Sequence, residues 1–406
     1  MKLSLFSTLR GYRKEYLPKD IFSGIIIAAV SIPISMGYAQ ISGIPAVYGL
    51  YGSVLPILLF ALFSTSRQFI FGVDAAPAAI VGGALSTLGI AAESEAAMDY
   101  VPAIALFAGL WLFIFFLLHA DKIVDFISTP VMGGFISGIA VTIILMQIPK
   151  LMGSPAGSGE LLELAEHIFA AAKNISWLSL FMGLGALVLI RTFKKLAPKF
   201  PMAIVIMALG VLSTVVFHVD EKGVVLLQSV ERGLPSLVIP DFGNVDLTQA
   251  AGRGLMVAIV IMAETLLAEN TFAFRNDYKL NDRQEILACA AGNIVAAAVG
   301  CCPVNGSISR TSLNEQYGGK SQAVSITAGI TMALILLFGT GFIGYLPVPV
   351  LTAIVISALM DVVETHLAVR LFKVSRTEFY IFMLPVSVCS VLEPFMGLSL
   401  VSCSLS

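Results

Sequence analysis

Long apolar stretches alternate with short polar connections along the chain. The apolar runs lie approximately at 21–39, 46–63, 75–90, 101–118, 123–148, 176–190, 201–217, 251–271, 284–300, 307–315, 322–339, 341–360 and 377–393. Most approach the roughly 20 residues that a spanning helix needs. A fourteenth run starts near Pro394 and stops short at Ser406. Seven segments precede a long connection at 218–250. Because seven is odd, the next segment enters from the opposite side, and a second seven-segment unit is inverted relative to the first. The pattern thus predicts an all-α polytopic membrane protein. It has an N-terminal segment (1–20), a first repeat (21–217), a connection (218–250) and a second repeat (251–406) that is incomplete at its end. Within the connection, the runs VVLLQS and SLVIP suggest strand.

Composition supports this reading. Apolar types make up 57% of the 406 residues and charged types only 12%, against about 25% charged in an ordinary soluble domain. Mean hydropathy is +0.92. A soluble globule would lack the polar surface to cover itself, and disorder needs the opposite balance. A net charge of −2 suggests no nucleic-acid partner. Cys289, Cys301, Cys302, Cys389 and Cys403 all lie in apolar stretches, without metal-ligand or disulfide-framework spacing. They read as small buried residues. The four histidines are scattered near predicted span ends, so no metal site and no cofactor is expected.

Lys and Arg placement sets the expected orientation. Lys2, Arg10, Arg13, Lys14 and Lys19 precede the first span and put the N-terminus in the cytoplasm, without a cleavable signal pattern. Threading from there brings Arg191, Lys194, Lys195 and Lys199 inside, then Arg275, Lys279 and Arg283, then Arg370, Lys373 and Arg376. Glu93, Glu95 and Asp99 fall outside, as does the 218–250 connection. The expected location is the inner (plasma) membrane.

The third segment of each half is interrupted. One reads FGVDAAPAAIVGG (71–83) and the other CCPVNGSISRTSLNEQYGG (301–319). Paired interrupted segments at matching positions point to a transporter binding site, because broken backbone at membrane depth survives only where protein or a wet cavity meets its polar groups. A helix N-terminus offers unpaired N–H groups and about half a positive charge, so two facing termini can hold an anion. In the first half the terminus is Asp74-Ala75-Ala76-Pro77, with Asp74 as N-cap and Pro77 in the first turn, where its missing N–H is harmless. Asp74 serves either as cap alone or as a substrate contact. In the second half Asn305-Gly306-Ser307 forms the approach and cap, and Ile308, Ser309 and Arg310 the first turn. A charge at this depth costs on the order of 2.5–3.5 kcal/mol. Arg310 therefore attracts the substrate, pairs with Glu264 or Asp74, or does both.

Glu264 lies within MVAIVIMAETLLAEN. Intramembrane carboxylates mark ion or proton pathways. Sodium coupling needs several oxygen ligands, and beyond Thr265 the next turn offers Leu267 and Ala268. Proton coupling needs only the carboxylate, and Glu264 is taken as the coupling residue. Glu269 sits nearer the cytoplasmic end and reads as solvated. Ser35, Ser86 and Thr142 read as structural hydroxyls, and the spacing of Gly133 and Gly134 to Gly138 reads as close helix packing.

Five motifs together resemble the sulfate permease (SulP) family of anion transporters, over residues 17–395: IPISMGYAQISGIPAVYGLY (32–51), STSRQFIFGVDAA (64–76), FISTPVMGGFISGIAVTIILMQIPKLMG (126–153), NDRQEILACAAGN (281–293) and GSISRTSLNEQYGGKSQ (306–322). The resemblance implies a seven-plus-seven inverted repeat with core and gate domains, an anion site between two half-helices, elevator-like alternating access and a homodimer. It maps the family's serine-arginine site onto Ser309 and Arg310, its aromatic contact onto Tyr38, and an often polar position onto Ile34. Members usually carry a cytoplasmic STAS-type regulatory domain after the last span, which this sequence lacks.

The expected function is secondary active transport of a small anion of the sulfate, bicarbonate or dicarboxylate class, coupled to H+. The alternatives are Na+ coupling, anion exchange, a channel of the same fold, or a nucleobase permease of the same architecture. Glu264 speaks against an uncoupled anion path, and Arg310 at a half-helix start suits an anion better than a nucleobase.

Overall fold

The computed structural model describes residues 5–386 apart from 125–128, 158–160, 198–199, 231, 239, 244, 364, 375, 377–378, 381 and 384–385. Most of the thirteenth apolar run, all of the fourteenth, and Lys199, Cys389 and Cys403 lie outside the described residues. In chain order the elements are α1 (Leu17–Ile41), α2 (Ala46–Tyr51), α3 (Leu55–Phe63), β1 (Ile70–Val73), α4 (Ala75–Thr87), α5 (Glu95–Leu118), α6 (Asp121–Val124), α7 (Thr129–Leu151), α8 (Leu161–Lys173) and α9 (Trp177–Leu196). They continue with α10 (Met202–Phe217), α11 (Leu247–Arg275), α12 (Asp282–Ala298), β2 (Val304–Ser307), α13 (Ile308–Tyr317), α14 (Ala323–Leu334), α15 (Val348–Val362) and α16 (Thr365–Val374). Among the described residues, six helical stretches are long and apolar enough to cross a membrane, and four shorter ones are apolar.

Local chemistry sets the ends of these helices. Ser94 Oγ accepts from the Ala97 amide at 3.2 Å and starts α5, so Glu95 and Asp99 belong to that helix and not to the loop before it. Asp246 Oδ1 accepts from Thr248 and Gln249 at 2.9 and 3.2 Å and starts α11. These are the side-chain caps that helix starts need. The expected strand in the connection does not form among the described residues. VVLLQS contributes only an isolated bridge, Leu226 to Pro347. Its apolar alternation has no neighbouring strand to pair with. The strands lie instead inside the two interrupted segments. The run at 46–63 is likewise split into α2 and α3 around Gly52–Val54.

The described residues fall into two compact units, one drawn from 1–128 and 234–334, the other from 129–233 and from 335 onward. Each unit therefore takes material from both halves of the chain.

In the first unit α1 packs on α2 and α14, α12 on α3 and α5, and α11 on α5. Lipid tails are as apolar as leucine, so close packing of small residues has to do much of what water drives elsewhere. Gly24 meets this demand: a Cβ there would lie 2.6 Å from Thr327 Cβ. A Cβ at Gly49 would overlap the Ser35 carbonyl, so α2 can approach α1 only through glycine. Phe60 and Phe71 stack with ring centroids 4.5 Å apart, tying α3 to β1. The N-terminal segment is fastened below this core. Tyr12 Oη donates to Asp20 Oδ2 at 2.9 Å, and Asp20 also accepts from the Lys320 amide and Ser321 Oγ, each at 2.7 Å. Burial, with the Asp20 carboxylate beside it, pushes the Tyr12 phenol up to about 12, so it remains a donor at neutral pH.

β1 and β2 pair antiparallel, with Ile70 opposite Ser307 and Val73 opposite Val304. Four-residue strands buried this deeply satisfy each other's backbone groups, as membrane depth requires. Because the pairing is antiparallel, α4 and α13 leave the ribbon at opposite ends, each with its N-terminus toward it.

In the second unit α15 packs on α7 and α9. A Cβ at Gly134 would overlap the Phe382 carbonyl, which is the close packing expected of that glycine. Arg191 Nη1 lies 2.7 Å from Asp361 Oδ1, and Lys194 contacts the other oxygen. Side chains this exposed contribute about 0–1 kcal/mol. Trp177, Phe181 and Val188 of α9 are more than half exposed and suit a hydrocarbon surround.

Candidate functional site

The site belongs to the first unit. Arg310, in the first turn of α13, is 1% exposed. Its Nη2 donates to the Val73 carbonyl at 2.7 Å and lies 3.8 Å from Asp74 Oδ1. Its Nε is buried without a partner. A Cβ on Gly72 would come within 2.9 Å of Nη1, so the guanidinium lies along bare backbone. Of the two pairings considered for Arg310, the structure makes the one with Asp74. Glu264 is bonded elsewhere.

Asp74 occupies the N-cap position of α4, but its carboxylate makes no capping hydrogen bond. It accepts from Ser307 Oγ at 3.3 Å. The expectation of a cap side chain is thus corrected: the carboxylate turns to Arg310, with the Ala75 amide and Ser307 Oγ as its donors, and does not reach the amides further into the first turn. The Ala78 amide reaches the Asp74 carbonyl at 3.4 Å, and Pro77 has no amide. That leaves Ala75 and Ala76 as the first-turn donors, with the Ala75 amide facing the Asp74 carboxylate.

On the other side, Ser307 also makes no side-chain cap, and its hydroxyl lies 3.3 Å from Ser309 Oγ. Thr311 Oγ1 donates to the Ser307 carbonyl at 2.6 Å and accepts from the Ile70 amide at 3.0 Å, which fixes the strand-to-helix corner. The Ile308 and Ser309 amides stand in the first turn, where helices have no internal acceptor. Tyr38 of α1 is 2% exposed and lies within electrostatic reach of Arg310. Ile34 is buried on the same helix, one turn earlier. Pro33 beside it deprives the Ala29 carbonyl of its helical donor.

Glu264 of α11 is 4% exposed. It accepts from Asn305 Nδ2 at 2.6 Å, and Asn305 Oδ1 accepts from Thr265 Oγ1 at 2.6 Å. Thr265 Oγ1 in turn accepts from the Gly306 amide at 3.3 Å. Asn305 is a residue that sequence reasoning assigned only to the approach. As a residue of β2, it links the acid to the strand that delivers Ser307. Ser35 Oγ bonds Ser53 Oγ at 2.9 Å, and Thr142 Oγ1 bonds the Gly138 carbonyl of its own helix at 3.1 Å. Ser86 Oγ bonds the carbonyl of Gly82 in its own helix at 3.2 Å. Glu269 is not solvated. It is 0% exposed, because the 276–281 corner and the start of α12 fold over it.

Two strand-and-half-helix segments meeting at a buried cation and two buried acids define an inverted-repeat transporter fold. Residues 17–385 match the model of the sulfate permease family, and the chain belongs to that family, a family of transporters and not of enzymes. Its relatives include a probable sulfate transporter of Mycobacterium tuberculosis, 26% identical over 369 residues, covering 91% of this chain and 66% of that one. Sulfate transporter 4.1, chloroplastic, of Arabidopsis thaliana is 29% identical, covering 97% of this chain and 58% of the relative. The chain thus spans less than two thirds of the length of these curated relatives. Among solved structures, the transmembrane domain of a cyanobacterium bicarbonate transporter, BicA, superposes with a TM-score of 0.84 at 20% identity, covering 95% of this chain and 98% of that domain. The murine solute carrier 26 family member A9 anion transporter, in its inward-facing state, gives 0.87 at 19% identity, covering 97% and 69%. The fold is therefore the family's seven-plus-seven inverted repeat with two half-helices and core and gate domains.

Proposed function

We propose that this chain forms the membrane part of a secondary active transporter for a small anion. The anion is bound by the N-terminal ends of α4 and α13 and the Arg310 guanidinium, with Tyr38 as an aromatic wall. The observation that carries this reading is the buried Arg310 Nε without a partner, on a residue in the first turn of α13 whose Nη2 reaches the Val73 carbonyl just ahead of α4. An unpaired donor at this depth costs about 1–3 kcal/mol unless something occupies it, and an anion would.

Glu264 carries the coupling proton in this reading. It has two acceptor oxygens, and Oε2 accepts from one amide donor, Asn305 Nδ2, an environment that suits a single proton better than a metal ion with six oxygens. Transport proceeds by elevator-like alternating access, in a homodimer whose chain is organised as the repeats 21–217 and 251–406. The N-terminus is cytoplasmic and the 218–250 connection is outside, as the Lys and Arg distribution supports. Single cysteines at Ser229 and Thr192 in a cysteine-free background should then label oppositely with an impermeant reagent on intact cells, and equal labelling would break this threading.

The substrate class rests on the relatives, whose names specify sulfate and bicarbonate. A proteoliposome uptake panel of radiolabelled sulfate, bicarbonate, chloride, nitrate, dicarboxylates and uracil, with and without an inward proton gradient, tests the reading. Uptake of one anion stimulated by the gradient is expected. Uptake of uracil with no anion transported would favour the nucleobase alternative.

A further inference from the structure

At the Arg275 end of α11 lies a second acidic site that the anion reading does not use. Glu269 and Glu285 are both 0% exposed, and their carboxyls lie in hydrogen-bond contact. Glu285 accepts from three protein donors, which leaves room for about one more on its two oxygens. Its Oε2 accepts from Ser64 Oγ at 2.7 Å, and its Oε1 from the Thr65 amide at 2.6 Å and from Thr65 Oγ1. No donor among the described residues reaches either oxygen of Glu269. Two carboxylates are acceptors only, so a hydrogen bond between them requires a proton. The distribution of donors assigns it: Glu285 is the carboxylate, and Glu269 is the acid that donates to it.

The surrounding charges support the same assignment. Asp282, Glu285 and Cys289 of α12 act on this pocket, with Tyr278 from the 276–281 corner. None of these is a cation. Nearby Arg275 pairs with Glu315 at 3.2 Å, Arg67 lies over the Tyr278 ring, and Arg283 donates to the Phe116 carbonyl. α6 packs on α11 and α12 and brings Asp121 and Lys122 to the same region. The other elements packed on α11, namely α4 and β2, carry no ionisable side chain, while those of α5, Glu95, Asp99 and Tyr100, lie at its opposite end. Two adjacent buried charges without a cation are strongly disfavoured, whereas one shared proton removes one of them.

We propose that Glu269 and Glu285 form a second proton-binding site, distinct from Glu264, in which one shared proton latches the 64–69 corner that leads into β1. The corner hangs on this pair. Glu285 holds Ser64 and Thr65. Ser66 Oγ meets Tyr278 Oη at 3.1 Å, and Gln322 Nε2 holds the Ser66 and Phe69 carbonyls at 2.8 and 2.9 Å. β1 follows and ends at the Val73 carbonyl that Arg310 grips. Loss of the proton places a second charge against Glu285 and works directly on the contacts that hold the corner.

The test uses the purified full chain in sodium-free buffer at neutral pH. The infrared carbonyl band of a protonated carboxyl should be present in wild type, reduced in E269Q and intact at that component in E264Q. Hydrogen–deuterium exchange at 64–69 should stay near wild type in E269Q, whose amide can donate to Glu285 as the acid does. In E269A it should be faster by on the order of tenfold. An unchanged infrared band in E269Q would overturn the proposal. So would added Na+ at fixed pH protecting the corner, because the site would then take a metal ion. If E269A does not fold, the E269Q spectrum and exchange still decide.

Discussion

Arg310→Ala is expected to weaken anion binding by on the order of a hundredfold or more while leaving the protein folded. Truncating one partner of a buried charge pair across a binding interface costs about 2–5 kcal/mol, and in this reading Arg310 is that partner for the anion. Part of any effect could come from Asp74, which would be left buried without its cation at 3.8 Å. The double variant Arg310→Ala, Asp74→Asn removes that charge and separates the two causes. Isothermal titration with the anion selected by the uptake panel, alongside thermal unfolding, makes the comparison. The double variant should unfold near wild type and still fail to bind. Wild-type affinity in either variant would remove Arg310 from the site.

Glu264→Gln is expected to keep anion exchange and to lose stimulation by an inward proton gradient. Asn305 Nδ2 donates to Glu264 Oε2 at 2.6 Å, and a glutamine carbonyl can accept the same bond, so the link to β2 survives. What disappears is the charge that changes with pH. Glu264 and Asp74 lie within electrostatic reach of each other, so a deprotonated Glu264 adds negative potential where the anion docks. Protonation removes it, which makes proton and anion bind cooperatively, and linkage makes that coupling reciprocal. Wild-type uptake should therefore be faster at an external pH of about 5.5 than at about 7.5, with the difference abolished in the variant. A variant with the wild-type ratio would show that Glu264 is structural.

Much of the fold was legible because apolar runs of spanning length are its dominant signal. The features that escaped share a physical cause. α8 and α16 are amphipathic, with charges spaced along one face, as in LLELAEHIFAAAK, so they register weakly in a hydropathy reading. β1 and β2 are four residues each and pair across a separation of more than 230 residues, which no local pattern shows. Arg310 stood out because a guanidinium in an apolar segment demands a reason. Its partner did not stand out: Asp74 caps α4 in position only, and turns to Ser307 and Arg310, which are distant in sequence. Glu269 misled for a local reason. Asn270 and the basic residues beyond it look like an exit from the membrane, while the chain actually folds back and covers the carboxyl with Glu285 and Tyr278.

The central claim, that two half-helix ends and one guanidinium hold the anion, is tested most directly by locating an anion in the protein. Crystals of the full chain soaked in bromide or selenate would show its position by anomalous scattering. The expected peak lies within hydrogen-bond reach of the Ala76 and Ser309 amides and of Arg310 Nε, and is lost in Arg310→Ala. A peak elsewhere in the first unit, or one that persists unchanged in Arg310→Ala, would contradict it.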